Sequence, residues 1–215
     1  ENGYCADFSG ITPSQWQAIE MVYICSPGNP TGKLMSLDEM FQLIDLAHHY
    51  DFIVVSDECY SELYFDDQSI PCSLLQAALL YGERSVRPFE RCLSFHSLSK
   101  RSNLPGLRSG FVAGDIQLIQ QYLKYRTYHG CAMSAHHQYA STLAWRNESH
   151  GQRAQARVCS TYAVDRIRRN HNNVPCQRIN RHRPQAETLL QLFEGAERVE
   201  EILGVSFCLL QLLSF

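Results

Sequence analysis

Lys100 lies three residues after Ser97 and eight before Arg108, in the stretch Phe95-His-Ser-Leu-Ser-Lys-Arg-Ser-Asn-Leu-Pro-Gly-Leu-Arg-Ser-Gly110. An amine that follows an apolar run (Cys92, Leu93, Phe95) is expected to be partly stripped of water. That lowers its proton affinity and frees it to attack carbonyls. A serine hydroxyl and an arginine fork are the groups that hold a phosphate beside such an amine. A phosphorylated aldehyde such as pyridoxal phosphate uses all three. The same residue types also make ordinary solvated loops, so the stretch gains meaning only from the elements around it.

Those elements alternate between strand and helix. The pattern predicts a short helix over 14–20, a buried strand over Met21–Cys25, and a turn-rich loop from Ser26 to Gly32. Ser36-Leu-Asp-Glu39 is a capping box, and Met40, Leu43, Ile44 and Ala47 form the apolar stripe of the helix behind it. A second buried strand is expected over Phe52–Ser56, a helix near 73–81, and a third strand over Arg91–Phe95. A fourth strand over Gly110–Gly114 and helices near 115–127 and 133–147 complete the series. Continuously apolar strands alternating with helices predict an α/β fold, a mostly parallel sheet covered on both sides. Polar residues follow three of the strands: Asn29 the first, Asp57 and Tyr60 the second, Ser97 and Lys100 the third. Ligands bind at the carboxyl edge of such sheets, so three clusters there point to one site.

Composition sets the bounds. The chain has 215 residues, enough for one domain and part of another, and 45% hydrophobic with 19% charged residues suits a folded core. A net charge of -3 gives no reason to expect a nucleic-acid partner, and no apolar run approaches a membrane span. The opening Glu1-Asn2-Gly3-Tyr4, without a leading Met or signal pattern, is expected of a piece of a longer chain. Nine cysteines without a C-x-x-C pair are expected to be buried thiols in a reducing cytoplasm, and no metal site is indicated.

Two motif readings fail on spacing. Gly28-Asn-Pro-Thr-Gly32-Lys33 has one residue too few between its glycines for a phosphate loop, and Leu34 stands where Ser or Thr is needed. Ser97-Leu-Ser-Lys100 fits the S-x-x-K nucleophile of penicillin-binding acyl enzymes, but the chain has neither S-D-N nor K-T-G. It stays a distant alternative.

Ser-Pro-Gly-Asn-Pro-Thr-Gly, Asp-Glu-Cys-Tyr and Ser-Leu-Ser-Lys-Arg-Ser-Asn-Leu-Pro-Gly-Leu-Arg-Ser-Gly, in that order, resemble the class I/II aminotransferases of pyridoxal-phosphate fold type I. Within that family the wording around Lys100 and the stretch Arg126–Met133 are similar to bacterial N-succinyldiaminopimelate aminotransferases. The resemblance covers roughly residues 1–150. It implies that Lys100 carries the cofactor and moves the substrate proton, and that Asp57 pairs with the pyridine nitrogen. It further implies that Asn29 and Tyr60 bond the ring's phenolic oxygen, and that Ser97 and Arg108 bind the phosphate. The implied reaction passes an amino group between glutamate/2-oxoglutarate and N-succinyl-2-amino-6-oxopimelate, in lysine biosynthesis. A cytoplasmic homodimer is the implied setting. Read without the resemblance, Asp57 is equally a helix cap, Tyr60 a core aromatic and Asn29 a turn residue.

The resemblance divides the chain into a partial large cofactor-binding domain (1–130), a helix leading toward the small domain (131–150) and a divergent remainder (151–215). Residues 151–183 hold eight arginines, no lysine and one acid, Asp165, with no helical or strand period. This run is read as a frame-shifted or decayed form of the small domain rather than a nucleic-acid arm. Helical character returns over Leu189–Leu203, before an apolar end at Phe207–Phe215. The expected activity of the chain is therefore poor, and the other readings are a non-catalytic remnant or another class I/II aminotransferase specificity.

Overall fold

The structure, a computed structural model, describes residues 7–64, 70–82, 87 and 89–157. The sequence features expected beyond residue 157 lie outside these. Four strands form one sheet in the order β1 (Met21–Cys25), β2 (Ile53–Asp57), β3 (Cys92–Ser97), β4 (Gly110–Gly114). β1, β2 and β3 run parallel, so all three end at the same edge. β4 is antiparallel to β3, Ser97 facing Gly110. The connection between them stays at that edge, through α4 (Leu98–Arg101) and a 3-10 turn (Pro105–Leu107), instead of crossing the sheet.

The helices form where the sequence provides caps and stripes. α1 (Pro13–Trp16) starts at a Thr12 capping box with proline in its first turn. α2 (Leu37–Tyr50) starts at the Ser36–Glu39 box, with Asp38 and Glu39 at the positive end of the helix dipole. It ends where Asp51 turns left-handed at φ 67°. α3 (Leu74–Tyr81) is capped by Ser73, and α5 (Ile116–His129) by Asp115. α6 (Ala135–Arg146) follows, then a helical stretch over 148–157.

One face of the sheet packs on α2 and α3. Met40, Leu43, Ile44 and Ala47 close over Ile24, Val54 and Cys92, with Leu74, Ala77 and Phe52 alongside. Trp16 stacks on Phe52 at 5.4 Å and locks α1 onto the start of β2. Each fully buried side chain of this size contributes about 1.5–3 kcal/mol over its exposed state. The other face carries a smaller core, Val55 and Leu93 under Ile119 of α5.

Four expectations need correction. Among the described residues the second face is covered in part: α5 packs over β2–β4, and Met21 and Tyr23 of β1 are each 58% exposed. The strands are not continuously apolar: Ser56 and Ser94 face each other fully buried. Residues 151–157 are helical although they lack a period, since Gly151 lies against Arg101 and Ala154 is buried. Tertiary contact supplies what sequence pattern does not. Of the five described cysteines, all free, only Cys92 is buried and Cys131 is exposed.

Candidate functional site

The parallel register gathers the polar clusters. Cys25, Asp57 and Phe95 are mutually in register at the ends of β1, β2 and β3. The loop after β1, the turn after β2 and α4 after β3 therefore leave the sheet side by side. Arg108, two residues before β4 begins, returns to the same edge. Among the described residues no helix is long and apolar enough to cross a membrane, and no group of three or more His, Cys, Asp or Glu could hold a metal.

Asp57 is held at both of its oxygens. Its Oδ2 accepts the Tyr23 hydroxyl at 2.7 Å, and its Oδ1 accepts the Cys59 N–H at 3.1 Å. The second contact is the capping role that sequence alone allowed. Two donors leave a carboxylate with unused lone pairs, which have room for one more N–H. Burial, with help from Asp57, pushes the Cys59 thiol up to about 12, and burial also raises the Cys25 thiol. Both thiols therefore stay protonated near neutral pH.

Lys100 corrects the expectation of desolvation: it is exposed. In the short α4, Leu98 and Arg101 take the inward face, three residues apart, and Lys100 falls on the outward one. Its Nζ lies 5.7 Å from the centre of the half-buried Tyr60 ring. Ser97 caps α4: its Oγ accepts the Ser99 N–H at 3.1 Å and lies 3.0 Å from the Ser99 hydroxyl. The same hydroxyl lies 3.5 Å from the Ser109 carbonyl, just before β4. Arg108 is exposed at φ 49°, and its Nη1 donates to the Pro105 carbonyl at 3.1 Å. Asn29 is exposed in a loop pinned by Gly28 N–H to the Lys33 carbonyl at 2.8 Å and Gly32 N–H to the Gly28 carbonyl at 2.7 Å. A side chain on Gly28 would meet Thr31 Oγ1 at 2.8 Å, so Thr31 would have to turn aside to admit one.

The family model for class I and II aminotransferases matches residues 3–174. The chain belongs to that family. Members of the family depend on pyridoxal phosphate. Among solved structures it is similar to an aminotransferase from Neisseria meningitidis, with 49% identity and a TM-score of 0.63, covering 68% of this chain and 36% of that one. It is 36% identical over 141 residues to a 4-dedimethylamino-4-oxo-anhydrotetracycline transaminase of Streptomyces rimosus, covering 66% of this chain and 37% of that protein. It is 31% identical over 119 residues to an LL-diaminopimelate aminotransferase of Nitratidesulfovibrio vulgaris, covering 55% of this chain and 29% of that protein. The chain thus spans about a third of the length of these curated relatives.

The residues at this edge are of types whose chemistry matches the family's cofactor. An outward amine suits its aldehyde, a carboxylate with spare lone pairs its ring nitrogen, and a hydroxyl with a guanidinium its phosphate.

Beneath the edge are polar residues that the sequence reading did not single out. Glu58, fully buried, accepts the Leu74 N–H at 2.8 Å through Oε1, while its Oε2 faces His96 Nε2 at 3.6 Å. His96 Nε2 also lies 3.0 Å from Ser94 Oγ, and its ring stacks on Phe111 at 4.7 Å. Burial holds His96 below its ordinary proton affinity, against the opposing pull of Glu58. Arg101 is buried beside Lys100 and donates to Ser102 Oγ at 3.1 Å and the Ala144 carbonyl at 3.3 Å, while pairing with Glu148. Tyr23 had no signal beyond an aromatic in a strand. Glu58 and His96 had only their neighbours, Asp57 and Ser97, to mark them.

Proposed function

We propose that this chain is the cofactor-anchoring part of an aminotransferase that passes an amino group between glutamate/2-oxoglutarate and N-succinyl-2-amino-6-oxopimelate. The observation that carries the reading is the convergence of Lys100 and Asp57 at the ends of adjacent parallel strands, with Tyr60 5.7 Å from the Lys100 amine. Pyridoxal phosphate, when bound, supplies an aldehyde for the amine and a ring that withdraws electrons from the substrate carbon. Lys100 would hold that aldehyde and would move the proton at the substrate carbon. Asp57 keeps the ring nitrogen protonated, since a carboxylate beside it favours its charged form. Asn29 and Tyr60 donate to the phenolic oxygen, and Ser97 with Arg108 holds the phosphate.

The diaminopimelate assignment draws on the resemblance around Lys100 and on the diaminopimelate aminotransferase among the relatives. The 36% identity to the 4-dedimethylamino-4-oxo-anhydrotetracycline transaminase makes other keto acids the comparison substrates. A homodimer in the cytoplasm is the setting proposed with it.

The test is an absorbance spectrum of the purified chain with added pyridoxal phosphate, beside Lys100→Ala, followed by borohydride reduction and a peptide map. A visible band lost in the variant, with the label on Lys100, is expected. No band, or one indifferent to the substitution, refutes the reading. Glutamate-dependent turnover of N-succinyl-2-amino-6-oxopimelate against other keto acids, measured on the full-length protein, decides the substrate.

A further inference from the structure

Asp57 does not meet the site alone. A phenol from the neighbouring strand reaches it: Tyr23 Oη donates to Oδ2 at 2.7 Å, the shorter of the two contacts that hold the carboxylate. The register explains the reach. Tyr23 sits opposite Val55, and two residues on, Cys25 sits opposite Asp57, so Tyr23 and Asp57 project from the same face on adjacent strands, one diagonal step apart. A long aromatic spans that diagonal.

We propose that Tyr23 is a positioning residue that sets how strongly Asp57 pulls on the proton of the cofactor's ring nitrogen. The inference rests on the reading of Asp57 given above. A donor on a carboxylate oxygen stabilises the anion and makes it a weaker proton acceptor. Tyr23 therefore shares Oδ2 with whatever bonds there from the open side, and moderates the ring's charge. The hydroxyl keeps its own proton, because partial burial and the Asp57 charge both raise its affinity for it. The other titratable groups around Asp57 are Cys25 on β1, Cys59 in the following turn and His96 on β3, with Lys100 acting on Cys59. The Cys59 thiol also bonds to Asp57, and the phenol is the group that reaches it from the neighbouring strand. Tyr23 is 58% exposed, so its removal disturbs little packing.

The experiment is a pH titration of the visible band of the pyridoxal-phosphate-loaded chain, comparing the parent with Tyr23→Phe. Without the phenol, Asp57 holds the ring proton more tightly, the ring is more positive, and the Lys100-bound group gives up its own proton more readily. The midpoint is expected to move to lower pH by roughly half a unit, a shift kept small by exposure of the pair. Tyr23→Leu removes the same hydroxyl, brings no other donor to Asp57, and must shift the midpoint the same way. Met21→Ala, on the same face but not touching Asp57, leaves it in place. Far-UV circular dichroism verifies the fold of each. A band lost with Lys100→Ala but a midpoint unmoved or raised by both Tyr23 variants overturns the role of Tyr23 and leaves the cofactor reading standing. No band in the parent overturns both.

Discussion

Arg101→Met tests whether the lysine-bearing turn is held from beneath. The guanidinium is buried, with its side chain 7% exposed. It donates to Ser102 Oγ and the Ala144 carbonyl, lies 5.3 Å over the Trp145 ring, and pairs with Glu148, with Glu62 at 3.9 Å. Two hydrogen bonds to neutral partners contribute about 1 kcal/mol each. The cation over the indole adds about 0.5–1 kcal/mol. The Glu148 side chain is 29% exposed and can turn to water when its partner is lost, so the ion pair adds at most about 1 kcal/mol. Methionine keeps the apolar stem. The expected loss is about 3 kcal/mol, on the order of a hundredfold in the folding equilibrium. Urea unfolding followed by far-UV circular dichroism and by tryptophan fluorescence reads it, because Trp145 lies directly under the guanidinium. Arg153→Met, at an exposed position on the helix over 148–157, is the control and stays within about 0.5 kcal/mol of the parent. Equal midpoints for the two variants would refute the reasoning, since they would mean that the buried cation ties nothing together.

Two further outcomes follow from the structure. His96 binds its proton less readily folded than unfolded, so acid favours the unfolded state: stability is full above the ordinary value of 6.5 and falls as pH drops from there toward the lowered folded value. Urea midpoints across pH 7.5 to 5 show that slope, and His96→Gln flattens it; parallel slopes for the two proteins would remove His96 as its source. Gly114→Ala puts a Cβ 1.9 Å from the Cys92 carbonyl oxygen at φ 141°, between β3 and β4. It is expected to cost on the order of 3 kcal/mol or more and to abolish soluble folded protein, whereas Gly10→Ala, with open space around its position, does not. A soluble Gly114→Ala with parental stability would refute the β3–β4 pairing.

The sequence by itself determined the alternation of elements. The strands at Met21–Cys25 and Gly110–Gly114 and the start of the helix after Ser36 stand where period and capping put them, because these signals are local. The residues at the carboxyl edge were legible for the same reason: each cluster directly follows its own strand, and a parallel sheet brings strand ends together whatever the side chains are. What the local pattern does not carry is the direction of a side chain against a distant neighbour. Lys100 points outward because Leu98 and Arg101 occupy the inward face of a four-residue helix, a fact of packing rather than of the apolar run before it. Helix over 151–157 comes from burial against Arg101, not from a period. The contact of Tyr23 with Asp57 spans 34 residues and exists only through the β1–β2 register. The facing of Glu58 and His96 depends in the same way on β2 lying beside β3. Local propensity names the elements and their ends; only the register of one strand on the next decides which polar groups face one another.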